Sequence, residues 1–300
     1  MNPPRLGLAL FLAGALFLAG GSRSLAAPIQ QTKNPAPAVD ASPPLAILPS
    51  AEDHLIDPKM ARSWGEGAPR WFVGVTTDLG FVYARPRLSL GYGRPFVSWV
   101  GMDANPIATT NGLGAYAGLR LEVPYFDLRV GTRFFGAFYH TYLETKEHYF
   151  RIELESSSGT EARILTHEAE ADGQIRIDPL FIPLRASVSY VANVPEGQSV
   201  FEETLRVIVD PPLVWRVRVG LGLSFGEVHQ HTIALVTDVL HIPSRDDSIT
   251  VRVGPVLRFV LSRRVEVRGS FVTTVSSPDS IGLIGGDFTE FGVRYRWASE

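Results

Sequence analysis

Arginine is the residue type here with the chemistry to bind something, and its spacing has a period of two. In Trp215-Arg216-Val217-Arg218-Val219-Gly220-Leu221-Gly222-Leu223-Ser224, two guanidinium groups alternate with apolar side chains. Successive side chains of an extended chain point to opposite faces, so Arg216 and Arg218 share one face and Val217, Val219, Leu221 and Leu223 the other. The same parity gathers Arg87, Arg120, Arg129, Arg133, Arg185, Arg206, Arg252, Arg258, Arg268, Arg294 and Arg296 onto the polar face. Acids of that parity are Asp78, Glu122, Asp127, Glu202, Glu266 and Glu290, which leaves an expected excess of about seven positive charges. Fixed charge and planar, bidentate donors suit carboxylates and phosphates. The alternative is structural: arginines that stack, pair with those acids and fill space.

Other patterns are weaker. Gly222-Leu223-Ser224-Phe225-Gly226 matches the G-x-S-x-G form of serine hydrolases, which matters only where a strand turns sharply into a helix. His229 and His231 stand two apart, on one face of a strand, with Glu227 of like parity but no complete ligand shell. Asp246 and Asp247, with Asp238 upstream, lack the spaced acidic loop of a calcium site and read as a solvated loop. Residues 144–172 hold many acids with His148 and His167, which fits a solvated hairpin projecting beyond the body. The sequence therefore implies no catalytic residues, metal or cofactor, and a protein that is not an enzyme. A net charge of −3 and the lack of a basic-aromatic stripe give no sign of nucleic acid as a partner.

The elements that must position the arginines are strands. Apolar alternation recurs over Leu113 to Val123, Phe126 to Phe138, Ile182 to Ala192, Val251 to Leu261 and Val265 to Val275. Clusters such as Asn111-Gly112, Pro195-Glu196-Gly197, Asp210-Pro211-Pro212 and Ser277-Pro278-Asp279 separate them. A soluble sandwich would turn the apolar faces inward, and a membrane barrel would turn them to lipid. Three features favour the barrel. The polar face is rich in arginine and glycine, and lysine occurs only at Lys33, Lys59 and Lys146 against 25 arginines. Trp71-Phe72, Phe96 with Trp99, Tyr139 with Tyr142, and Trp215 fall near strand ends, where interfacial aromatics belong. The runs also match the length of about 9–11 residues that a tilted strand needs to cross a bilayer.

Phe291-Gly292-Val293-Arg294-Tyr295-Arg296-Trp297 resembles the closing strand of Gram-negative outer-membrane β-barrel proteins, with Ala298-Ser299-Glu300 following the usual terminal aromatic. The resemblance is to the class, over residues 70–297. It implies an all-β, transmembrane, antiparallel up-and-down barrel in the cell outer membrane, with lipid and the barrel-assembly machinery as partners. The spacing of the runs predicts twelve strands, with ten and fourteen open; the doubtful steps are Arg85-Pro86 and Arg94-Pro95. Residues 70–300 would form the barrel. Residues 1–26 read as a secretory signal peptide, with Arg5 before a short apolar run and a small-residue exit. Residues 27–69 read as a proline-rich periplasmic linker with a possible short helix.

On this reading Arg120, Arg129, Arg133, Arg185, Arg216, Arg218, Arg252, Arg258, Arg268, Arg294 and Arg296 line the lumen. The expected function is a passive or gated passage for small anionic solutes or an acidic polymer. The alternative is a non-conducting structural or adhesive barrel with partner-binding loops. Gly74, Gly91, Gly114, Gly118, Gly131, Gly220, Gly222 and Gly254 would either make room inside or permit strand curvature.

Overall fold

The computed structural model describes residues 64, 67–80, 83–156, 158–226, 229–288 and 291–299. The expected leader at 1–26, almost all of the expected linker at 27–69, and Glu227 and Glu290 lie outside the described residues. The strands are β1 (Arg70–Gly80), β2 (Tyr83–Arg94), β3 (Ser98–Thr109), β4 (Gly112–Val123), β5 (Phe126–Thr141), β6 (Leu143–Glu144), β7 (Glu161–Ile177) and β8 (Leu180–Ala192). They continue with β9 (Gln198–Glu202), β10 (Val207–Val209), β11 (Leu213–Phe225), β12 (His231–His241), β13 (Thr250–Val260), β14 (Val265–Ser270), β15 (Thr273–Ser276) and β16 (Gly292–Ala298).

Twelve of these close an antiparallel wall in the order β1-β2-β3-β4-β5-β7-β8-β11-β12-β13-β14-β16, and β16 pairs back onto β1 through Gly74↔Ala298 to Gly80↔Gly292. Closure leaves no wall edge, the condition for a sheet in lipid, where no water can pair a free backbone group. β15 continues the line of β14 along β13, so the eleventh wall strand is in two pieces, and alternation alone reads it as a single run to Val275. The two Arg-Pro steps differ. Residues 95–97 make a turn, whereas Pro86 stays within β2, where the β2–β3 ladder steps from Ala84↔Ala108 to Leu88↔Ala104.

Burial alternates along the wall strands, and the exposed parity is apolar. Val217, Val219, Leu221 and Leu223 of β11 are exposed, facing outward beside Ile233 and Leu235 of β12. Trp71 and Tyr92 meet edge to face at one rim, and Phe271 and Phe291 meet nearer the other. In water this exterior would be one large exposed apolar patch; in a bilayer it is the solvent-matched face. Phe72, Phe96 and Trp99 differ from the expected girdle: they are buried and belong to an inward cluster.

The two ends of the barrel are unlike. One carries the short connections 95–97, 124–125, 178–179, 226–230 and 261–264, together with the ends of β1 and β16. The other carries the long connections 142–160, 193–212, 242–249 and 277–291, with the short turn at 110–111. The long connections fold on themselves. β6, β9 and β10 form a three-stranded sheet, and helix α1 (Arg151–Glu155) adds Leu154 to a core with Leu143, Tyr149, Phe201, Ile208 and Ile281. Only the second part of the segment expected to protrude is wall: from Glu161 onward β7 runs beside β5, pairing from Phe126↔Gly173 to Gly136↔Arg163.

Replacing Leu221 with arginine puts a charge on the outward face. The expected loss is about 2–4 kcal/mol for a site near the bilayer midplane, measured by denaturant titration of folding into lipid vesicles. Ser224→Ala, on the inward face of the same strand, should leave that midpoint nearly unchanged.

Candidate functional site

All eleven arginines expected to line the lumen lie on the inward parity, and each has a partner. Arg120 reaches Asp127 at 2.6 Å, Glu122 at 2.9 Å and Asp103 at 3.3 Å. Arg129 contacts Glu170, Asp127 at 3.2 Å and Asp172 at 3.3 Å, and Arg185 holds Asp172 at 2.5 Å. Arg133 bridges Glu168 and Glu202 at 2.9 and 3.0 Å. Glu266 collects four guanidinium groups: Arg258 at 2.8 Å, Arg268 at 3.2 Å, Arg296 at 3.5 Å and Arg294 at 3.7 Å. Arg294 also grips both oxygens of Asp78, at 2.5 and 2.9 Å.

The expected large positive excess is not found. Parity did not collect Asp103, Glu168, Glu170, Asp172, Asp238 and Asp287, all of which pair with the arginines. Glu168, Glu170 and Asp172 alternate with Ala169, Ala171 and Gly173, and so share one face of β7. That alternation was the available signal, but small outward residues made the segment look like a solvated hairpin. Asp287 comes from the 277–291 connection folded inward, which no strand pattern announces. Arg206 is also not a wall residue; it sits in the turn between β9 and β10.

The long connections enter the lumen. Val200, Leu205, Val207 and Val209 are buried against Phe135, Ile164, Val191, Val214 and Leu240 of the wall, making an apolar core at the long-loop end. Ions hold this insert. Fully buried Arg252 donates from Nη2 to the carbonyl oxygens of Leu205 and Arg206, at 2.8 and 3.0 Å. Arg216 grips Asp238 with two bonds of 2.7 Å and Asp287 with a third, while Arg218 donates to both carboxylates. Asp238 is therefore an interior counter-ion rather than part of a solvated acidic loop. Glu202 accepts from the Leu205 N–H at 2.6 Å, and burial pushes its carboxyl up from the ordinary value against the pull of Arg133.

Aromatic side chains narrow the short-turn end. Phe72 and Trp99 pack edge to face at 5.3 Å, and Trp64 meets Phe96 at 5.1 Å. The Trp64 indole donates to the Arg263 carbonyl at 2.8 Å and lies 4.0 Å beneath the Arg263 guanidinium. One residue of the expected free linker is thus docked at the mouth. The inward glycines seat such rings: a Cβ on Gly91 would meet Trp99 at 2.5 Å, and one on Gly222 would meet Phe181 at 2.4 Å.

Inside the wall lies a cavity of about 360 Å³, lined from β1–β5, β7, β8, β11, β13, β14 and β16, with Thr204 and Leu205 of the insert also on its lining. The hydrolase-like pattern lies elsewhere. Ser224 is within β11, paired with Thr232, and His229 Nδ1 approaches the Ser224 carbonyl oxygen at 3.3 Å rather than its hydroxyl. His231 accepts the Val260 N–H at 3.2 Å, so the two histidines serve different partners. Among the described residues no cluster of three His, Asp or Glu side chains is arranged to hold a metal.

No protein-family model and no curated protein matches the chain. Among solved structures it is similar to the NanC porin, at 12% identity over 76% of this chain and 97% of that one, with a TM-score of 0.33. It is also similar to the β domain of the Bordetella autotransporter Brka, at 12% identity over 77% and 98%, with a TM-score of 0.34. OmpT, an outer membrane protein of Vibrio cholerae, aligns at 9% identity over 79% and 100%, with a TM-score of 0.30. The assignment rests on this chain's own geometry: a closed twelve-strand wall, an apolar exterior and a charged interior are those of an outer-membrane-type β-barrel.

Arg252→Leu removes two charge-assisted hydrogen bonds to the insert, each worth about 1.5–3 kcal/mol. The folded variant in detergent should be cut by trypsin after Arg206 at least about tenfold faster than the parent, read by mass spectrometry of the fragments.

Proposed function

We propose that the chain works in the outer membrane as a narrow passage for small anions, running beside the inserted 198–210 segment. The cavity carries this reading. Its lining extends from Glu122 and Asp127, which flank the short turn at 124–125, to Tyr83 and Ile107 near the opposite end of β2 and β3. In barrels of this architecture short turns are periplasmic and long loops external. The path would therefore connect the two sides past Thr204 and Leu205 of the insert. Arg120, Arg129, Arg133, Arg185, Arg216, Arg258, Arg268, Arg294 and Arg296 border it, while Arg252 holds the insert that narrows it and Arg218 holds the inward-folded Asp287. Residues 1–26 would direct export, residues 27–69 would tether the periplasmic mouth, and β16 would present the barrel-assembly machinery with its closing strand.

A second reading has its own support. The dense pairing of charges and the self-packed external loops, with Phe150, Ile152 and Leu283 exposed, favour a non-conducting barrel that displays a surface to a partner. Planar-bilayer recording under a salt gradient separates the two. The passage predicts small unitary currents whose reversal potential favours anions, shifted toward cations in Arg129→Glu. A barrel that shows heat-modifiable gel mobility yet passes no current supports the second reading instead.

A further inference from the structure

The arginines around the cavity are not equally satisfied. Eleven arginines line it, Arg85 and Arg87 of β2 together with nine of those described above; ten have a carboxylate partner, whereas Arg85 has neither a hydrogen bond nor an ion pair among the described residues. Its contact is the ring of Tyr83, 5.7 Å from the guanidinium carbon, and its Nε is buried with no acceptor. The carboxylate nearest in register, Asp78, is already held through both oxygens by Arg294. Arg87 stands two residues on, hence on the same face of β2. It lies 3.9 Å from both Asp78 and Asp103, close enough for attraction but too far for a hydrogen bond.

Two arginines with unspent donors therefore stand two residues apart, about 7 Å along one strand, and line the same cavity. Between them Pro86 fixes its own φ, and Pro106 lies on the neighbouring strand where the β2–β3 ladder is interrupted. On the other side the β1–β2 register is continuous through Thr76↔Arg87, Thr77↔Pro86 and Asp78↔Arg85, so β1 fixes the backbone that carries the pair. An unpaired buried guanidinium is costly, and an oxyanion relieves that cost most directly.

We propose that Arg85 and Arg87 form an oxyanion-binding site for a small solute bearing a carboxylate or phosphate. Access to it rests on the passage reading, since the solute must reach the cavity. Binding and conduction are nevertheless measured separately. The full-length barrel, folded in detergent, is titrated with inorganic phosphate and, in a second arm, with glucuronate, by calorimetry. Saturable binding in either arm is expected, and the arm that responds identifies the oxyanion. Arg85→Gln should weaken it at least about tenfold, in line with loss of a charge-assisted bond. Arg85→Lys should restore part of it, and Arg163→Gln, exposed at the long-loop end, should leave it unchanged.

Heat-modifiable mobility confirms that each variant is folded. No binding in either arm, or equal binding by parent and Arg85→Gln, overturns the site. Binding without current keeps the site and removes the passage. Anion-selective current with no binding, and with a reversal potential unmoved by Arg85→Gln, removes the site and keeps the passage.

Discussion

A guanidinium group inside a lipid-embedded wall must find counter-charge within that wall, and most of this structure answers that demand. The bilayer requires every strand to pair on both sides, so the ladder closes and outward positions become apolar. Polar parity then has nowhere to face but the lumen. Glu266 serves four arginines, and Asp238 and Asp287 together serve Arg216 and Arg218. Buried ion pairs of this kind are weak sources of stability compared with an apolar core, yet breaking one leaves a costly orphan. They act chiefly by specifying arrangement. Asp287 and the Leu205–Arg206 carbonyls are drawn inward because Arg216, Arg218 and Arg252 would otherwise be unpaired.

Packing divides the lumen into two unlike halves. Over β5 to β12, long strands and folded connections bring Val200, Leu205, Val207 and Val209 against the wall, and the interior there resembles the core of a soluble domain. Over β1 to β4 the connections are short, so nothing of comparable length can fold in from that side. The cavity lies beside the insert, with Thr204 and Leu205 among its lining residues. Inward glycines do not enlarge it, because Gly91 and Gly222 lie under the rings of Trp99 and Phe181 and let those rings lie flat against the wall.

Alternation made the wall legible. Arg216, Arg218 and the outward valines of β11 differ by one position, and that single offset decides which solvent each meets. The twelve-strand closure and the inward arginines follow from the same pattern. It fails where the pattern has no contrast. Glu168, Glu170 and Asp172 have Ala169, Ala171 and Gly173 as lipid-side neighbours, too small to register as an apolar face. Phe72, Phe96 and Trp99 read as interfacial because an aromatic near a strand end serves either face; Phe72 and Trp99 in fact share the inward parity of Asp78 and Asp103, and Phe96 joins them from the turn at 95–97. The insertion of 198–210 depends on contacts between residues far apart in sequence, such as Arg252 with Leu205, which no local period contains.

Pairing also changes what the interior can do to an ion. A lumen with many free arginines would attract anions along its whole length. Here Arg120, Arg129, Arg185 and the Glu266 group are compensated locally, so at a distance they present short dipoles rather than net charge. The uncompensated donors concentrate at Arg85 and Arg87 of β2, on the lining of the cavity. Low-dielectric walls then focus the residual field onto one position of one strand. Selection at a single point needs neither a wide lumen nor a strongly positive one, and so a heavily plugged, nearly neutral barrel can still discriminate by charge.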